Sequence, residues 1–397
     1  MNLSRYYMII FVFPFLFIGS QFAQLSDSIA FSLDSSATYI NKSNIYKSPT
    51  LISDDVFVVS PGFKVDFGAP YAGFNVSLKL SYDFVRYASL GDLDSEHLNS
   101  NLFARYQGSA TNVNFSYNYI EGQSAQSSLI GQVISSEDEA LIETESYYVN
   151  LAATYQYSPK LSFSTGVLLN KLDYATYERE YAPKENLTIP LNLNYQYSEK
   201  LSIIYGVEFT EREVGERYRR DGISGSYEPI SDAYDSDDVF YKIGLNGQLL
   251  PKLSGIMSLG YRTVEFSDNR EESDKDTWAI DSKLRWAVTP KFNTRFGMRR
   301  LMDSAGSGDS YTTSRLFIGN TYDISPEFSM ALSGDFSFKD YVEEKDRTDE
   351  INTYTWKLDY LPANEWVFSA SYSFVDNRSH LVQYKAREFI LSANFKY

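Results

Sequence analysis

Asn75-Val76-Ser77-Leu78-Lys79-Leu80-Ser81-Tyr82-Asp83-Phe84 alternates polar and apolar side chains without a break. A period of two sends Val76, Leu78, Leu80, Tyr82 and Phe84 to one face of a strand and the polar set to the other. A helix would scatter the same residues around its circumference. The pattern recurs at Val149, Leu151, Ala153, Tyr155 and Tyr157, and within 187–197, 328–338, 366–374 and 389–397. Counting such runs from Asp55 to Tyr397 gives seventeen strands, and 28–40, with Ile29, Phe31 and Leu33 on one parity, makes eighteen.

Two kinds of connection alternate between these runs. The short kind repeats a related sequence: Tyr157-Ser158-Pro159-Lys160-Leu161, Tyr197-Ser198-Glu199-Lys200-Leu201, Leu250-Pro251-Lys252-Leu253, Thr289-Pro290-Lys291-Phe292, Ser325-Pro326-Glu327-Phe328 and Leu361-Pro362-Ala363-Asn364. Proline early in a turn presets φ and removes a donor that no ladder needs there. Breaks at 68–73 and 109–112 play the same part. The long kind is polar and acidic, as in 122–142 and 214–236. Short turns on one rim and long loops on the other are the plan of an outer-membrane barrel. The expectation is therefore an all-β, transmembrane, antiparallel up-and-down β-barrel of about eighteen strands, with short periplasmic turns and long acidic extracellular loops. An even count lets both ends of the chain lie on the short-turn side.

The chain holds 33 Tyr and 27 Phe, yet it is not hydrophobic on average. Aromatics on the apolar parity flank the short turns: Tyr106, Tyr155, Tyr157, Tyr195, Tyr197, Trp286, Phe292, Tyr322, Phe328, Tyr360, Trp366 and Phe395. A second set lies near the long loops: Phe84, Tyr119, Phe209, Trp278, Tyr354, Trp356 and Phe374. Two such bands suit the two membrane interfaces. A soluble sandwich or propeller would fill its core with aliphatic residues instead. The last run places Phe389, Leu391, Ala393, Phe395 and the terminal Tyr397 on one parity. That ending resembles the C-terminal signal read by the barrel-insertion machinery, a partner alongside outer-membrane lipid.

Arg5 followed by the apolar stretch 8–18 reads as an export signal, too short to span a bilayer, with cleavage placed after Ala23. Residues 1–23 are then a signal peptide and 24–397 the barrel domain of a Gram-negative bacterial protein. Cysteine is absent, which excludes disulfides and thiolate metal sites. A net charge of −16 excludes nucleic acid as a partner. Blocks such as Glu137-Asp138-Glu139 and Asp232, Asp235, Asp237, Asp238 read as solvated loop surface.

Only two histidines exist, His97 at the start of a strand run and His380 in the short external loop 377–382. Both lie on the long-loop rim, and no GxSxG or HExxH pattern accompanies them. The expectation is no enzyme, no cofactor and no metal, with the histidines as ordinary surface residues. A membrane-embedded hydrolase using either histidine is the distant alternative.

The polar parity carries more information. Lys242, Arg262, Lys283, Arg285, Arg295, Arg299 and Arg315 all fall on it, from five consecutive runs within 237–323. Adjacent strands are about 4.8 Å apart, so these cations line one basic arc of the lumen. Asp34, Asp83, Asp335 and Asp359 share the inward parity on the remaining wall, and the two arcs would set up a transverse field. Asp281 and Asp303 sit inside the basic arc and partly neutralise it. The competing reading is a set of lumenal salt bridges that stiffen the wall. Inward aromatics are expected only at Phe103 and Phe317, which leaves no stacked track for neutral sugars.

Asn44-Ile45-Tyr46-Lys47-Ser48-Pro49, followed by Ser53-Asp54-Asp55-Val56-Phe57 and Ser60-Pro61-Gly62, resembles the N-terminal pattern of porin-like outer-membrane β-barrels associated with exopolysaccharide biosynthesis and export loci. The pattern covers about residues 39–67; the architecture covers the whole mature chain. The resemblance implies an outer-membrane channel serving exopolysaccharide export, with polysaccharide or its export machinery as partner, and brings no catalytic residues. The basic arc adds passage of anionic solutes. The alternative is a non-conducting structural or surface-binding barrel that meets its partner through the acidic loops.

Overall fold

A computed structural model describes residues 29–397 apart from 69–72, 126–139, 177–179, 221–226, 231–234, 268–274, 305–309, 342–346 and 380–381. The export signal and His380 therefore lie outside the described residues. In chain order the strands are β1 (Ile29–Lys42), β2 (Asp54–Ser60), β3 (Gly62–Phe67), β4 (Phe74–Tyr87), β5 (Ser95–Gln107), β6 (Thr111–Ala125) and β7 (Leu141–Ser158). There follow β8 (Leu161–Tyr174), β9 (Lys184–Ser198), β10 (Leu201–Val214), β11 (Arg217–Arg220), β12 (Tyr227–Ile230), β13 (Ser236–Leu250) and β14 (Leu253–Phe266). The last are β15 (Lys275–Ala287), β16 (Phe292–Ser304), β17 (Ser310–Asp323), β18 (Phe328–Tyr341), β19 (Thr348–Ala363), β20 (Trp366–Arg378) and β21 (Gln383–Lys396).

Each strand of the main sheet pairs antiparallel with its neighbours in the chain, and β1 pairs with β21 from Asp34↔Lys396 to Lys42↔Glu388. That last ladder closes the cylinder. Its end is pinned by Leu33 and Tyr397, whose backbones exchange hydrogen bonds of 2.8 and 3.0 Å. Strands β2 and β3 are two halves of one stave. Both pair with β1 and with β4 on an unbroken register, as Ser36↔Ser60 and Leu33↔Phe63 show on one side and Val59↔Phe84 and Gly62↔Ser81 on the other. The ladder lapses at Pro61, which has no N–H to give, although its carbonyl still accepts from the Tyr82 amide at 3.1 Å. Nineteen strand segments in the sheet, less this one duplication, make eighteen staves.

The long connections differ in detail from their sequence reading. Strand β6 runs on to Ala125 and β7 begins at Leu141, so the loop expected over 122–142 is shorter at both ends. Within 214–236 the chain forms the hairpin β11–β12, from Arg217↔Ile230 to Arg220↔Tyr227. Glu137, Asp138, Glu139 and Asp232 lie outside the described residues. Asp238 is no loop residue: it sits on the inner face of β13 with its side chain fully buried.

Both aromatic bands lie on the outward parity. On the turn side Phe328 stacks on Tyr360 at 4.4 Å and Trp366 lies 4.9 Å from Phe395. On the loop side Tyr119 meets Tyr147 at 4.9 Å and Tyr261 meets Trp278 at 5.8 Å. Trp278 is 67% exposed, which only a lipid neighbour makes favourable. The wall is not evenly convex. Between β7 and β15 its outer face holds a concavity of about 960 Å³ lined by Tyr155, Phe163, Leu191, Tyr205, Ile243 and Trp278. Glycines on the inner side of this dent let the strands close up. A Cβ at Gly206 would stand 2.8 Å from the Lys242 side chain, and one at Gly260 would meet the Tyr241 carbonyl and the Phe240 ring at 2.7 Å.

Candidate lumenal site

The inner face divides by height. Towards the long loops it carries packed side-chain clusters. Loop 43–53 turns into the barrel, where the Asn44 amide donates to the Ser48 carbonyl at 2.7 Å and to the Lys385 carbonyl at 3.2 Å. This fold-back delivers Ile45 to a cluster with Val56 and Tyr87. The Asn44–Pro49 motif thus has a structural task, anchoring the first loop inside the mouth. Asp54, almost fully buried, accepts from the backbone amides of Ser89 and Leu90 at 2.8 to 3.1 Å and holds the second loop beside it. Further clusters join Ile142, Tyr174 and Tyr181, and Val382, Tyr384 and Ala386.

Inward aromatics are consequently more numerous than Phe103 and Phe317. Tyr87, Tyr148, Tyr174, Phe240, Tyr311, Tyr341 and Tyr384 also face in, by register with their neighbours. Most cap strand ends beside the loops. His97 departs from expectation too. It lies on the inward face of β5, opposite Asp83, and is 8% exposed rather than a surface residue.

The register places all seven cations of the basic arc on the lumenal face, on β13 to β17. Their environments differ sharply. Asp238 bridges Arg212 at 2.6 Å and also holds Arg262, and the side chains of all three are at most 10% exposed. Arg262 lies over the Phe240 ring at 4.8 Å, and Lys242 is ion-paired with Glu208. Arg315 donates from Nε to both oxygens of Asp335, at 2.8 and 2.9 Å. Of the seven, Arg262, Lys242 and Arg315 are thus each held by a carboxylate of the wall.

Lower down the wall the picture changes. Lys283, Arg285, Arg295, Arg299 and Arg315 surround a lumenal cavity of about 550 Å³ that also touches Asp281 and Phe317. Arg285 stands directly opposite Arg295, and Arg299 directly opposite Arg315. Arg285 has an amide partner, Asn293, at 3.2 Å, and Arg299 has Asp281 at a loose 3.7 Å. Among the described residues no carboxylate pairs with Lys283, Arg285 or Arg295. Like charges directly across a ladder weaken the sheet, so this arrangement is not explained by wall stability.

The acidic side does not form an opposing arc. Asp34 pairs with Lys79 at 2.8 Å, Asp359 with Lys357 at 2.9 Å, and Asp83 accepts from the Asn99 amide at 2.8 Å. Asp335, expected across the lumen, stands beside the basic patch on β18 and neutralises Arg315. The basic patch is thus a local one, while Asp34 and Asp359 on the remaining wall are each held by a lysine. Sequence reading missed Glu208 and Arg212, which share the inward parity of β10 and were legible from it. Among the described residues no group of three or more His, Asp or Glu side chains gathers as a metal site.

A family model described as "Putative beta-barrel porin 2" matches residues 32–397. The chain belongs to this family. It is a porin-like barrel of the outer membrane, with its aromatic outer face in the lipid. Pseudomonas aeruginosa OccK1 (OpdK) superposes with a TM-score of 0.50 at 10% identity, covering 94% of this chain and 100% of that one. Pseudomonas aeruginosa OccK2 (OpdF) does so with a TM-score of 0.50 at 10% identity, covering 94% and 98%. At such identity the likeness is one of fold. No match was found among curated proteins.

Proposed function

We propose that this porin conducts anionic solutes, and that Lys283, Arg285, Arg295 and Arg299 on β15 and β16 set its selectivity. The observation that carries this reading is the pair of facing arginines, Arg285 and Arg295, both exposed and, among the described residues, without a carboxylate partner. Such a pair lowers the energy of an anion in the pore and raises that of the empty wall. An acidic polysaccharide satisfies the same patch along its length, which keeps exopolysaccharide export as the finer form of the proposal. Reversal potentials across planar bilayers should favour anions, and Arg295→Glu with Arg299→Glu should shift them towards cations. An unshifted potential in the folded double variant removes the patch as selectivity element.

The clusters packed along the outer half favour a second reading, a non-conducting barrel whose acidic loops bind a surface partner. A purified wild-type protein that never conducts, while its loops still retain a partner, would establish that alternative. Under either reading residues 1–23 act as the export signal, and strand β21 with its terminal aromatic is what the insertion machinery engages. The mass of the mature protein tests the first, and loss of membrane assembly on removing Tyr397 tests the second.

A further inference from the structure

An ion pair joins staves that are not neighbours in the wall. Lys184, the first residue of β9, binds Asp303 near the end of β16 at 3.1 Å. Going round the wall, β10, β13, β14 and β15 stand between these staves, five steps in all, although the β15–β16 ladder ends at Asp281↔Arg299, short of Asp303. In a circular eighteen-stave cylinder about 36 Å across, five steps subtend a chord of about 27 Å. Extended Lys and Asp side chains joined by an ion pair span only about 13 Å between Cα atoms. The loop-side ends of β9 and β16 are therefore drawn to about half that separation, and the end of β16 beyond Arg299, no longer laddered to β15, is free to lean into the lumen beside the dent between β7 and β15.

The pair does not act alone. Tyr174 at the end of β8 packs on Tyr181 with ring centres 5.2 Å apart, and Tyr311 packs on Tyr341 at 5.3 Å. Asp303 stands opposite Tyr311 in the ladder and within electrostatic reach of Tyr174. Lys339 lies over the Tyr311 ring at 4.6 Å, and Arg347, itself paired with Asp349 at 3.1 Å, lies over Tyr341 at 3.8 Å. Side chains from both walls thus meet in a belt, two ring pairs flanking one salt bridge. On one side of it are the four staves β10, β13, β14 and β15. On the other, eighteen less those four and the two bridged staves leaves twelve.

We infer that the Lys184–Asp303 bridge partitions the outer mouth and fixes the aperture of the pore, so that Lys184 and Asp303 decide which solutes reach the basic patch. The inference rests on the channel reading. Opening the partition should enlarge the path without moving the patch, which lies nearer the turns.

Single-channel recordings of the full chain test this. Lys184→Glu and Asp303→Lys, each opposing like charges, should raise conductance about twofold or more, since a constriction dominates the resistance of a pore. The exchanged pair Lys184→Glu with Asp303→Lys should return it towards the wild-type value. Heat-modifiable gel mobility identifies folded barrels. A folded single variant with wild-type conductance, beside a conducting wild type, overturns the partition and leaves the channel reading intact. A silent wild type with conducting single variants supports the partition directly. If neither conducts, both readings fall. Because the chain has no native cysteine, Lys184→Cys with Asp303→Cys gives a check that needs no recording. A bis-maleimide spanning about 10 Å should cross-link them in intact outer membranes, and a circular barrel, at about 27 Å, would leave them unlinked.

Discussion

The loop-side and turn-side halves of the lumen share one face and one parity, yet they treat charge in opposite ways. In the loop-side half Arg212, Asp238 and Arg262 are buried together, and every cation discussed there has a carboxylate or a ring against it. In the turn-side half Arg285 and Arg295 face each other and are both exposed. Burial makes the difference. A charge removed from water must be paired, whereas one left in a wet lumen is free to act on what passes. The contrast separates residues that hold the barrel from residues available to use it, although both obey the same alternation.

The sharpest way to break the contrast is Asp238→Ala. It leaves Arg212 and Arg262 buried without a counter-ion, and removing one partner of such a site costs about 3–5 kcal/mol. Urea unfolding of the lipid-embedded barrel should show a loss of that size, with Asp238→Asn falling between variant and wild type. A loss under about 1 kcal/mol would mean that the triad is hydrated, and the two halves would then not differ in kind.

A middle-sized effect belongs to the dent. Gly260→Ala places a methyl group against the Tyr241 carbonyl and the Phe240 ring, whereas a Cβ at Gly122 would meet nothing within 4 Å. Overpacking at the first site should cost about 1–3 kcal/mol, and the second substitution should be neutral or slightly stabilising. Equal effects at the two positions would remove steric closeness as the reason for the indented wall.

Much of this barrel was legible because period two needs no tertiary information. Val76 to Phe84 declared their face, the proline turns declared one rim, and parity alone placed Lys283, Arg285, Arg295 and Arg299 on the lumenal wall. Partnership was not legible. Arg262 and Arg285 look alike in the sequence, but one is buried against Asp238 and the other is not, because height in the barrel sets hydration. Asp335 was assigned across the lumen although a one-step register, Phe317↔Asp335, puts it next to Arg315. Lys184 and Asp303 are 119 positions apart. No alternation within a strand reports a contact between staves that are not neighbours in the sheet.

The smallest effect tests the turn-side half from the opposite direction. Arg295→Gln keeps the length of the side chain and relieves the like-charge contact with Arg285. Such contacts cost about 0.2–1 kcal/mol across a ladder, and exposure puts this one at the low end. The variant should therefore unfold a few tenths of a kcal/mol later than wild type in low salt, even as anion preference falls. At about 1 M salt, where screening acts within roughly 3 Å, the gain should vanish. The deficit of Asp238→Ala should persist there, because buried charges are little screened. A gain for Arg295→Gln that survived high salt would have to come from packing rather than charge. The facing arginines would then be ordinary wall residues, and the case for an anion-selective patch would lose its foundation.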